Sequence, residues 1–410
     1  GYVTFLGMNG GLNRFLMFIF GLEKPPLRLL YSFAGLIIAH GFYNFPLIMK
    51  NLSDAWERLP VEPAESARLL GASEGRIFRT LTLHQLMPSI ASSSLLVFIY
   101  CFLSFILVLL FGGIGNSTLE VEIYKAARAT LDYKQVGLLA IIETSILIVI
   151  TVFYTMLEQK TSKLKGLASE IWNTRIKMTG VKEVSVFSLV ILVICLFFLA
   201  PLLGIVFNAF TSSQTGVTAG PAGITLATFR RIIKMRSFWP SVTSTVKIGC
   251  CTGFLCTLLG FAYSLLLQFL EGKNGRSVNI IFKVLPMIPM AISSVVVGVL
   301  ITMIVHKGNV ICLILAQSLL NWPLAFRVIY PHLSKINRDT MDASLILSKS
   351  KLDIIWRVLL PVSKKSLISA FGFCFAISAG DTTLPLVLAI PRFDTLSLFT
   401  YRLAGAYRFN

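Results

Sequence analysis

Asp381 is the ionisable side chain whose surroundings most clearly suggest chemistry, because it lies in the segment SAGDTTLP within an otherwise apolar stretch. A carboxylate among apolar side chains is costly unless it is paired, hydrated or functional. Two interpretations stay open. Asp381 and Thr382 line a path for a solute, or Asp381 makes a structural hydrogen bond to a neighbouring helix or to the adjacent threonines. Gly380 and Pro385 favour a helix break at this point.

Three further polar residues lie inside apolar segments. Glu143, in LLAIIETSILIVI, is interpreted as a helix-end or interhelical contact and not as a ligand. Asn44 and Asn321 precede prolines in the segments NFP and NWP. Proline leaves a carbonyl one turn back without its partner, and the asparagine amide can help to satisfy it. We therefore predict a kinked helix at each site, with a place on the translocation path as the alternative.

The sequence predicts no catalytic residue, no metal site and no cofactor. Its seven cysteines all lie in apolar runs and form no CxxC pair, so they are interpreted as small hydrophobic side chains. The four histidines, at positions 40, 84, 306 and 332, are scattered.

The composition indicates a polytopic helical membrane protein. The chain is 55% hydrophobic and 14% charged, with a mean hydropathy of +0.78, and several apolar runs are long enough to cross the lipid bilayer. The net charge of +18 could suggest nucleic-acid binding. Because the basic residues cluster between apolar runs, as the positive-inside rule describes, we interpret them as topology signals and predict no nucleic-acid partner.

A direct repeat organises the chain. LIIAHGFYNFPL (36–47) aligns with LILAQSLLNWPL (313–324), an offset of 277 positions that continues without a gap through the following loops. The same offset aligns STLEVEIYKAA (117–127) with DTLSLFTYRLA (394–404). Unrelated apolar helices share composition but keep no register across polar loops, so the two halves are homologous.

The repeat predicts the domain organisation. Both central loops are basic and are expected on the cytoplasmic side, which makes the repeat parallel and not inverted. We predict a first half at 1–158, a cytoplasmic linker at 159–182 and a second half at 183–410, each half truncated at its outer end. The predicted spans are 27–50, 88–111, 136–158, 184–209, 240–270, 279–305, 310–333 and 365–390.

Each half carries one polar loop that is predicted to form a helix–turn–helix. In the first loop Gly71 suits a left-handed turn and Ser73 can cap the second helix. In the second loop Ser350 and Asp353 form a pair that resembles a capping box. The helix that follows is amphipathic in both copies. It either docks on a partner protein or lies on lipid headgroups, and periodicity alone does not decide between them.

These loops resemble the signature of binding-protein-dependent ABC importer permeases of the type I fold, which reads E-A-A, three residues, G, nine residues, I-x-L-P. The first copy reads Glu65-Ser66-Ala67, Gly71 and Leu81-Thr82-Leu83-His84, and the second reads Asp342-Ala343-Ser344, Ser348 and Val358-Leu359-Leu360-Pro361. His84 replaces the proline of the first copy and Ser348 replaces the glycine of the second. Two fused halves, with STLEVEIY and ISAGD, narrow the resemblance to the ferric-iron and thiamine permease group.

The resemblance implies partners on both sides of a bacterial inner membrane. A dimer of separate ABC ATPase subunits would bind the loops from the cytoplasm, and a soluble or lipid-anchored substrate-binding protein would deliver the solute outside. The residues expected to carry the coupling are Glu65, Ala67, Gly71, Ile77, Phe78, Leu81, Asp342, Ser344, Ser348, Ile354, Ile355, Val358 and Pro361. The chain has no GxxxxGK[ST] motif, since Gly272-Lys273 is followed by Asn274, so ATP hydrolysis is expected on another chain.

The resemblance leaves the solute open. Ferric iron is the first expectation and thiamine the second, with a polyamine or another small solute as further alternatives. A secondary transporter working without an ATPase is the rival class. It would be expected to have several intramembrane charges and usually inverted repeats, in contrast to this chain.

Overall fold

The computed structural model describes residues 7–8, 10–29, 31–112, 115–165, 180–210, 226–271, 282, 285–334, 336, 343–344 and 346–406. Most of these residues are helical and none lies in a strand, which confirms the predicted all-α class. Helices suit a chain in lipid because they satisfy the backbone N–H and C=O groups within one segment. The predicted linker at 159–182 lies largely outside the described residues, and the predicted half boundaries stay predictions.

The helices are, in chain order, α1 (Gly11–Phe20), α2 (Phe33–Trp56), α3 (Glu62–Leu69), α4 (Glu74–Ile77), α5 (Leu83–Phe102), α6 (Phe105–Phe111), α7 (Leu119–Lys125), α8 (Tyr133–Lys165), α9 (Val181–Phe210), α10 (Ala227–Ile233), α11 (Phe238–Glu271), α12 (Ser294–Val305), α13 (Val310–Leu333), α14 (Lys351–Ile354), α15 (Leu360–Gly380), α16 (Thr383–Leu388) and α17 (Leu396–Ala406). Wider π-helical turns follow α4, α7 and α14, at Phe78–Thr82, Ala126–Thr130 and Ile355–Leu359, and a 3₁₀ helix spans Leu285–Ala291.

The chain forms two compact units, residues 1–118 with 152–232 and residues 119–151 with 233–410. In the first unit α2 packs on α5 and α6, and Phe42 and Phe45 of α2 meet Phe198 of α9 at ring-centroid distances of 4.7 and 5.3 Å. In the second unit α11, α13 and α15 pack against one another, and α12 packs on α7 and α16.

The 277-residue offset also relates the helices of the two halves. It maps both ends of α2 onto those of α13, and the π-helical turn after α4 onto the turn after α14. Even the caps correspond. Ser32 accepts a hydrogen bond from the N–H of Gly35 at 3.1 Å, and Asn309 accepts one from the N–H of Cys312 at 2.7 Å. The repeat is therefore present in the local structure as well as in the sequence.

Among the described residues, six helices are long and apolar enough to cross a membrane. The 3₁₀ helix and α12, bent by 82° at the residues between them, would make a seventh span if they cross together. The structure corrects three predicted spans. Those at 88–111, 279–305 and 365–390 are each interrupted, near Ser104, Ser293 and Asp381 respectively. In addition, the predicted span at 27–50 corresponds to α2, which begins at Phe33, continues to Trp56 and is not among the six helices that are long and apolar enough.

Glycines set the close packing of α11 in the second unit. A Cβ added at Gly260 would lie 2.8 Å from the backbone nitrogen of Phe326 and 2.9 Å from the Cβ of Ala325, both on α13. A Cβ added at Gly249 would lie 2.8 Å from the ring of Phe375 on α15. Small residues let helix backbones approach closely in a membrane, where van der Waals contact largely drives association.

Candidate functional site

The first polar loop forms the predicted helix–turn–helix. Gly71 has φ +81°, which confirms the left-handed turn, and its N–H donates to the carbonyl of Arg68 at 2.9 Å. Arg68 then bridges the turn through two hydrogen bonds to Glu74, of 2.6 and 3.1 Å. Ser73 occupies the N-cap position with extended backbone, but its hydroxyl makes no capping hydrogen bond. The backbone and an exposed ion pair therefore shape this loop.

The second polar loop reaches a similar arrangement with different residues. Asp342 lies outside the described residues. Ser344 is buried, and its carbonyl accepts the N–H of Ser348 at 3.0 Å. Ser348 is not among the residues with positive φ. Ser350 accepts a hydrogen bond from the N–H of Asp353 at 3.3 Å, which confirms the predicted cap.

One side of each loop is anchored to the spans. Ile77 is 3% exposed and Ile354 is 1% exposed. In the second unit Ile354 and Leu359 belong to a buried apolar cluster with Leu333 and Cys374. In the first unit the ring of Phe78 stacks on Trp56 at the end of α2, with centroids 5.8 Å apart. Ile77 and Ile354 therefore attach the loops to the spans and are not part of their outer surface.

The outer surface of each loop presents two adjacent large apolar side chains. Leu69 and Leu70 are 90% and 87% exposed, and Ile346 and Leu347 are both 84% exposed. The 277-residue offset relates the two pairs. Sequence reasoning missed them because it followed the periodicity of the second helix of each loop. The available signal was an apolar pair at the same position of both copies, just before the turn.

The other predicted coupling residues are less buried than Ile77 and Ile354 and less exposed than the apolar pairs, or carry no large apolar side chain. Exposed ones are Glu65, Gly71, Phe78 and Pro361, and half-buried ones are Ala67, Leu81, Ser348, Ile355 and Val358. The structure therefore separates the predicted set into an anchoring side and an outer side.

A cavity of about 690 Å³ lies within the first unit beside the proline of α2. Phe33, Phe45 and other apolar residues line most of it, and His40, Asn44 and Asn116 supply polar groups. The amide of Asn44 donates to the carbonyl of His40 at 3.0 Å and meets the Sγ of Cys101 at 3.5 Å. The expected contact, with the carbonyl four residues before Pro46, is therefore not the one that this amide makes. A mostly apolar cavity with a few polar groups is typical of sites for small organic ligands.

In the second unit, Asn321 is half-buried and its carbonyl faces the Sγ of Cys374 at 3.9 Å. Gln317, at the position that corresponds to His40, carries the polar contacts here. Its Oε1 accepts hydrogen bonds from the hydroxyls of Ser378 at 2.6 Å and Thr252 at 3.2 Å. Gln317 therefore ties α13 to both α11 and α15.

Asp381 lies at the helix break suggested by Gly380 and Pro385, between α15 and α16. Its Oδ1 accepts hydrogen bonds from the N–H groups of Thr383 at 2.9 Å and Leu384 at 3.4 Å, and so caps α16. Its Oδ2 accepts one from the amide of Gln317 at 2.9 Å. Both carboxylate oxygens are therefore paired. Thr382, also predicted to lie on the path, is half-buried beside it.

Unlike the half-buried Asp381, the acids Glu120 and Glu143 of the second unit are fully buried. Glu120 on α7 accepts a hydrogen bond from the hydroxyl of Ser293 at 2.6 Å, and Ser293 also caps α12. Burial raises the pKa of Glu120 to about 8, and the hydrogen bond from Ser293 opposes this rise. Glu143, expected at a helix end or in an interhelical contact, is buried within α8, and neither of its oxygens has a hydrogen-bond partner in the described structure.

A family profile described as "Binding-protein-dependent transport system inner membrane component" matches the chain at residues 14–163 and 260–407. The two matched segments include the two loops described above. The match therefore covers most of each half. The same profile matches the chain twice, in agreement with the two halves found by the internal alignment.

Curated relatives match the chain at low identity, some along most of its length and others over about a third of it. The thiamine transport system permease protein ThiP of Escherichia coli is 24% identical over 392 residues, covering 92% of this chain and 68% of the relative. The ferric transport system permease protein FbpB of Actinobacillus pleuropneumoniae is 25% identical over 433 residues, covering 100% and 58%. A putative 2-aminoethylphosphonate permease protein, PhnU of Salmonella typhi, is 32% identical over 140 residues, covering 34% and 48%.

Proposed function

The chain belongs to the binding-protein-dependent transport system inner membrane components, the permeases of ABC importers, and we propose that its two polar loops couple solute passage to a separate ATPase dimer. The chain is a multi-pass transport subunit with two repeated halves of the type I permease fold. The bacterial inner membrane is its proposed location, with a solute-binding protein as its partner on the outer side.

The exposed apolar pairs carry this proposal. Leu69 with Leu70, and Ile346 with Leu347, present large apolar surfaces at corresponding positions of the two loops. Adjacent charged side chains, such as Glu65 and Arg68 in the first loop, are exposed and can set the register of a partner. Apolar side chains that fill a partner's pocket supply much of an interface's affinity, and rim charges supply specificity. The anchored side of each loop, at Ile77 and Ile354, would transmit the partner's movement to the spans.

The test replaces the exposed pair Leu69 and Leu70 and leaves the buried Ile77 unchanged. Leu69→Glu with Leu70→Glu, in the complete importer, is expected to release the ATPase subunits during purification and to abolish ATP-driven uptake. The matched control, Leu69→Met with Leu70→Met, keeps an apolar surface and should keep both properties. Normal ATPase retention in the glutamate variant would refute the coupling role. Uptake that continues without any ATPase would favour a secondary transporter.

We propose a small cationic solute as the cargo, with thiamine and ferric iron as the two candidates. The sequence alone places ferric iron first. The cavity beside Asn44, with its aromatic, imidazole and amide lining, better suits a small heteroaromatic molecule and favours thiamine. Uptake of radiolabelled thiamine and of ferric iron should be compared in proteoliposomes that contain the whole importer and its binding protein. Asn44→Leu is expected to reduce uptake of the true cargo, and unchanged uptake would remove this cavity from the path.

Asp381 and Thr382 stay candidate path residues. Since hydrogen bonds occupy both carboxylate oxygens of Asp381, a structural role competes directly with a transport role.

A further inference from the structure

The buried acids Glu120 and Glu143 are not used by the coupling loops or by the cavity in the first unit. Both side chains are 0% exposed. Of their four carboxyl oxygens, Oε2 of Glu120 and both oxygens of Glu143 have no hydrogen-bond partner in the described structure. Native proteins rarely leave buried polar atoms unpartnered, so each such atom calls for a physical explanation.

Among the described residues, the elements packed around α7 supply little positive charge to Glu120. The described ranges of α12 and α16, Ser294–Val305 and Thr383–Leu388, contain no ionisable side chain. On α7, Lys125 pairs with Glu122 at 2.8 Å, and Arg128, just beyond that helix, donates to the carbonyl of Val387.

The remaining ionisable groups on these elements are also engaged or lie near an end of a helix. Lys134 is exposed in the first turn of α8, where the side chain of Asp132 caps the backbone. Tyr124 and Tyr401 carry no positive charge, and Asp381 is held by Gln317. An ionised Glu120 would therefore be largely uncompensated, and an ionised Glu143 would have no hydrogen-bond partner in the described structure. Either state is far more costly than an unpartnered neutral hydroxyl.

The surroundings of Glu120 fit a neutral acid. The Ser293 hydroxyl accepts hydrogen bonds from the backbone N–H groups of Val295 and Val296 and donates to Oε1 of Glu120. A protonated carboxyl keeps an acceptor for this bond on one oxygen and carries its proton on the other. The same contact attaches α7 to the 82° bend between the 3₁₀ helix and α12.

We propose that Glu120 and Glu143 are buried proton-binding acids of the second unit, with both carboxyl groups held as neutral acids at pH 7. The ligand is the proton in each case. Glu120 lies beside the bend at Ser293, and entry of water there would allow it to ionise by transferring its proton to that water. Both acids are independent of how the loops couple to an ATPase.

Infrared spectroscopy of the whole importer in lipid nanodiscs tests the proposal, because a neutral carboxyl and a carboxylate absorb at different frequencies. At pH 7 the wild-type spectrum should contain carboxylic-acid C=O bands, and Glu143→Gln and Glu120→Gln should each remove one. Glu122→Gln, which changes an exposed and paired acid, should remove none. Raising the pH of the wild-type protein should convert the Glu120 band to carboxylate, a readout that requires no variant to fold.

Other infrared results would contradict the proposal. If neither variant loses an acid band at pH 7, the acids are ionised and the proposal is wrong. A shift of their carboxylate bands on adding calcium or magnesium would then identify a cation site instead. Wild-type thermal stability of Glu143→Gln at pH 7 supports the proposal, since glutamine resembles a neutral acid in shape and charge.

Discussion

At the scale of single residues, Asp381 shows how a side chain that looks functional in the sequence can serve the fold. An acid in an apolar stretch indicates that something pairs or hydrates it, and the structure supplies three N–H donors. The sequence could suggest the helix break from Gly380 and Pro385. It could not identify Gln317 as the partner, because the contact joins residues 64 positions apart.

Asp381→Asn should lower stability by ~1–3 kcal/mol, the usual cost of leaving a buried hydrogen-bonding group unpaired. The new amide nitrogen faces the donor amide of Gln317, whose own oxygen is already engaged by two hydroxyls. Uptake per folded molecule should be unchanged. Thermal melts beside uptake normalised to folded protein measure both effects, with Thr382→Ser as the neighbouring control. Normal stability with reduced uptake would instead place Asp381 on the path.

Glu120 gives a pH prediction at the same scale. Its pKa is raised from 4.5 to about 8 in the folded protein, so the folded state binds this proton more tightly than the unfolded state does. The contribution of Glu120 to stability is therefore fully present below pH 4.5 and is lost as the pH rises to about 8. Melting temperatures across this window should fall less steeply in Glu120→Gln. The exposed control Glu122→Gln should keep the wild-type slope, and identical slopes in all three proteins would contradict the assignment.

At the scale of helices, apolar periodicity and hydropathy locate most of the long elements but not their interruptions. The breaks near Ser104 and Asp381 lie at corresponding positions of the two halves, yet apolar residues on either side make each stretch look continuous. Likewise, α2 extends beyond its apolar part through Lys50 and Asp54, because a helix need not end where its apolar residues end. Periodicity identified the amphipathic loop helix, whereas burial separated its anchoring side from its outer side.

Helix packing in the second unit predicts an effect for one added methyl group. Gly260→Ala places a Cβ 2.8 Å from the backbone of α13, so α11 and α13 must separate, at a cost of ~1–3 kcal/mol. Gly372→Ala on α15 is the matched control, since no atom lies within 4 Å of its added Cβ. It should be neutral or slightly stabilising, as alanine favours helix over glycine. Equal melting temperatures for the two variants would show that α11 does not pack in this way.

At the scale of the whole molecule, the repeat is the feature that sequence alone established most fully. An offset read from aligned letters reappears in helix ends, helix caps and π-helical turns. The differences between copies depend on local chemistry that the alignment does not evaluate. Gly71 adopts a left-handed turn and an Arg68–Glu74 pair bridges it, whereas the second copy lacks this glycine and uses a serine cap.

This correspondence predicts that one loop can replace part of the other. Residues 346–354 replaced by the sequence of 69–77 should lower stability by no more than ~1 kcal/mol, because most exposed positions tolerate change. The buried isoleucine and the exposed apolar pair would keep their places, so ATPase subunits should still co-purify.

The control inserts the sequence of 68–76 at the same site. That shift of one residue turns the helix by roughly 100° and puts arginine where Ile354 is 1% exposed. Burying an unpaired charge should unfold the loop and release the ATPase. If both chimeras behave alike, in melting temperature and in ATPase retention, the register of the repeat is not what holds these loops in place.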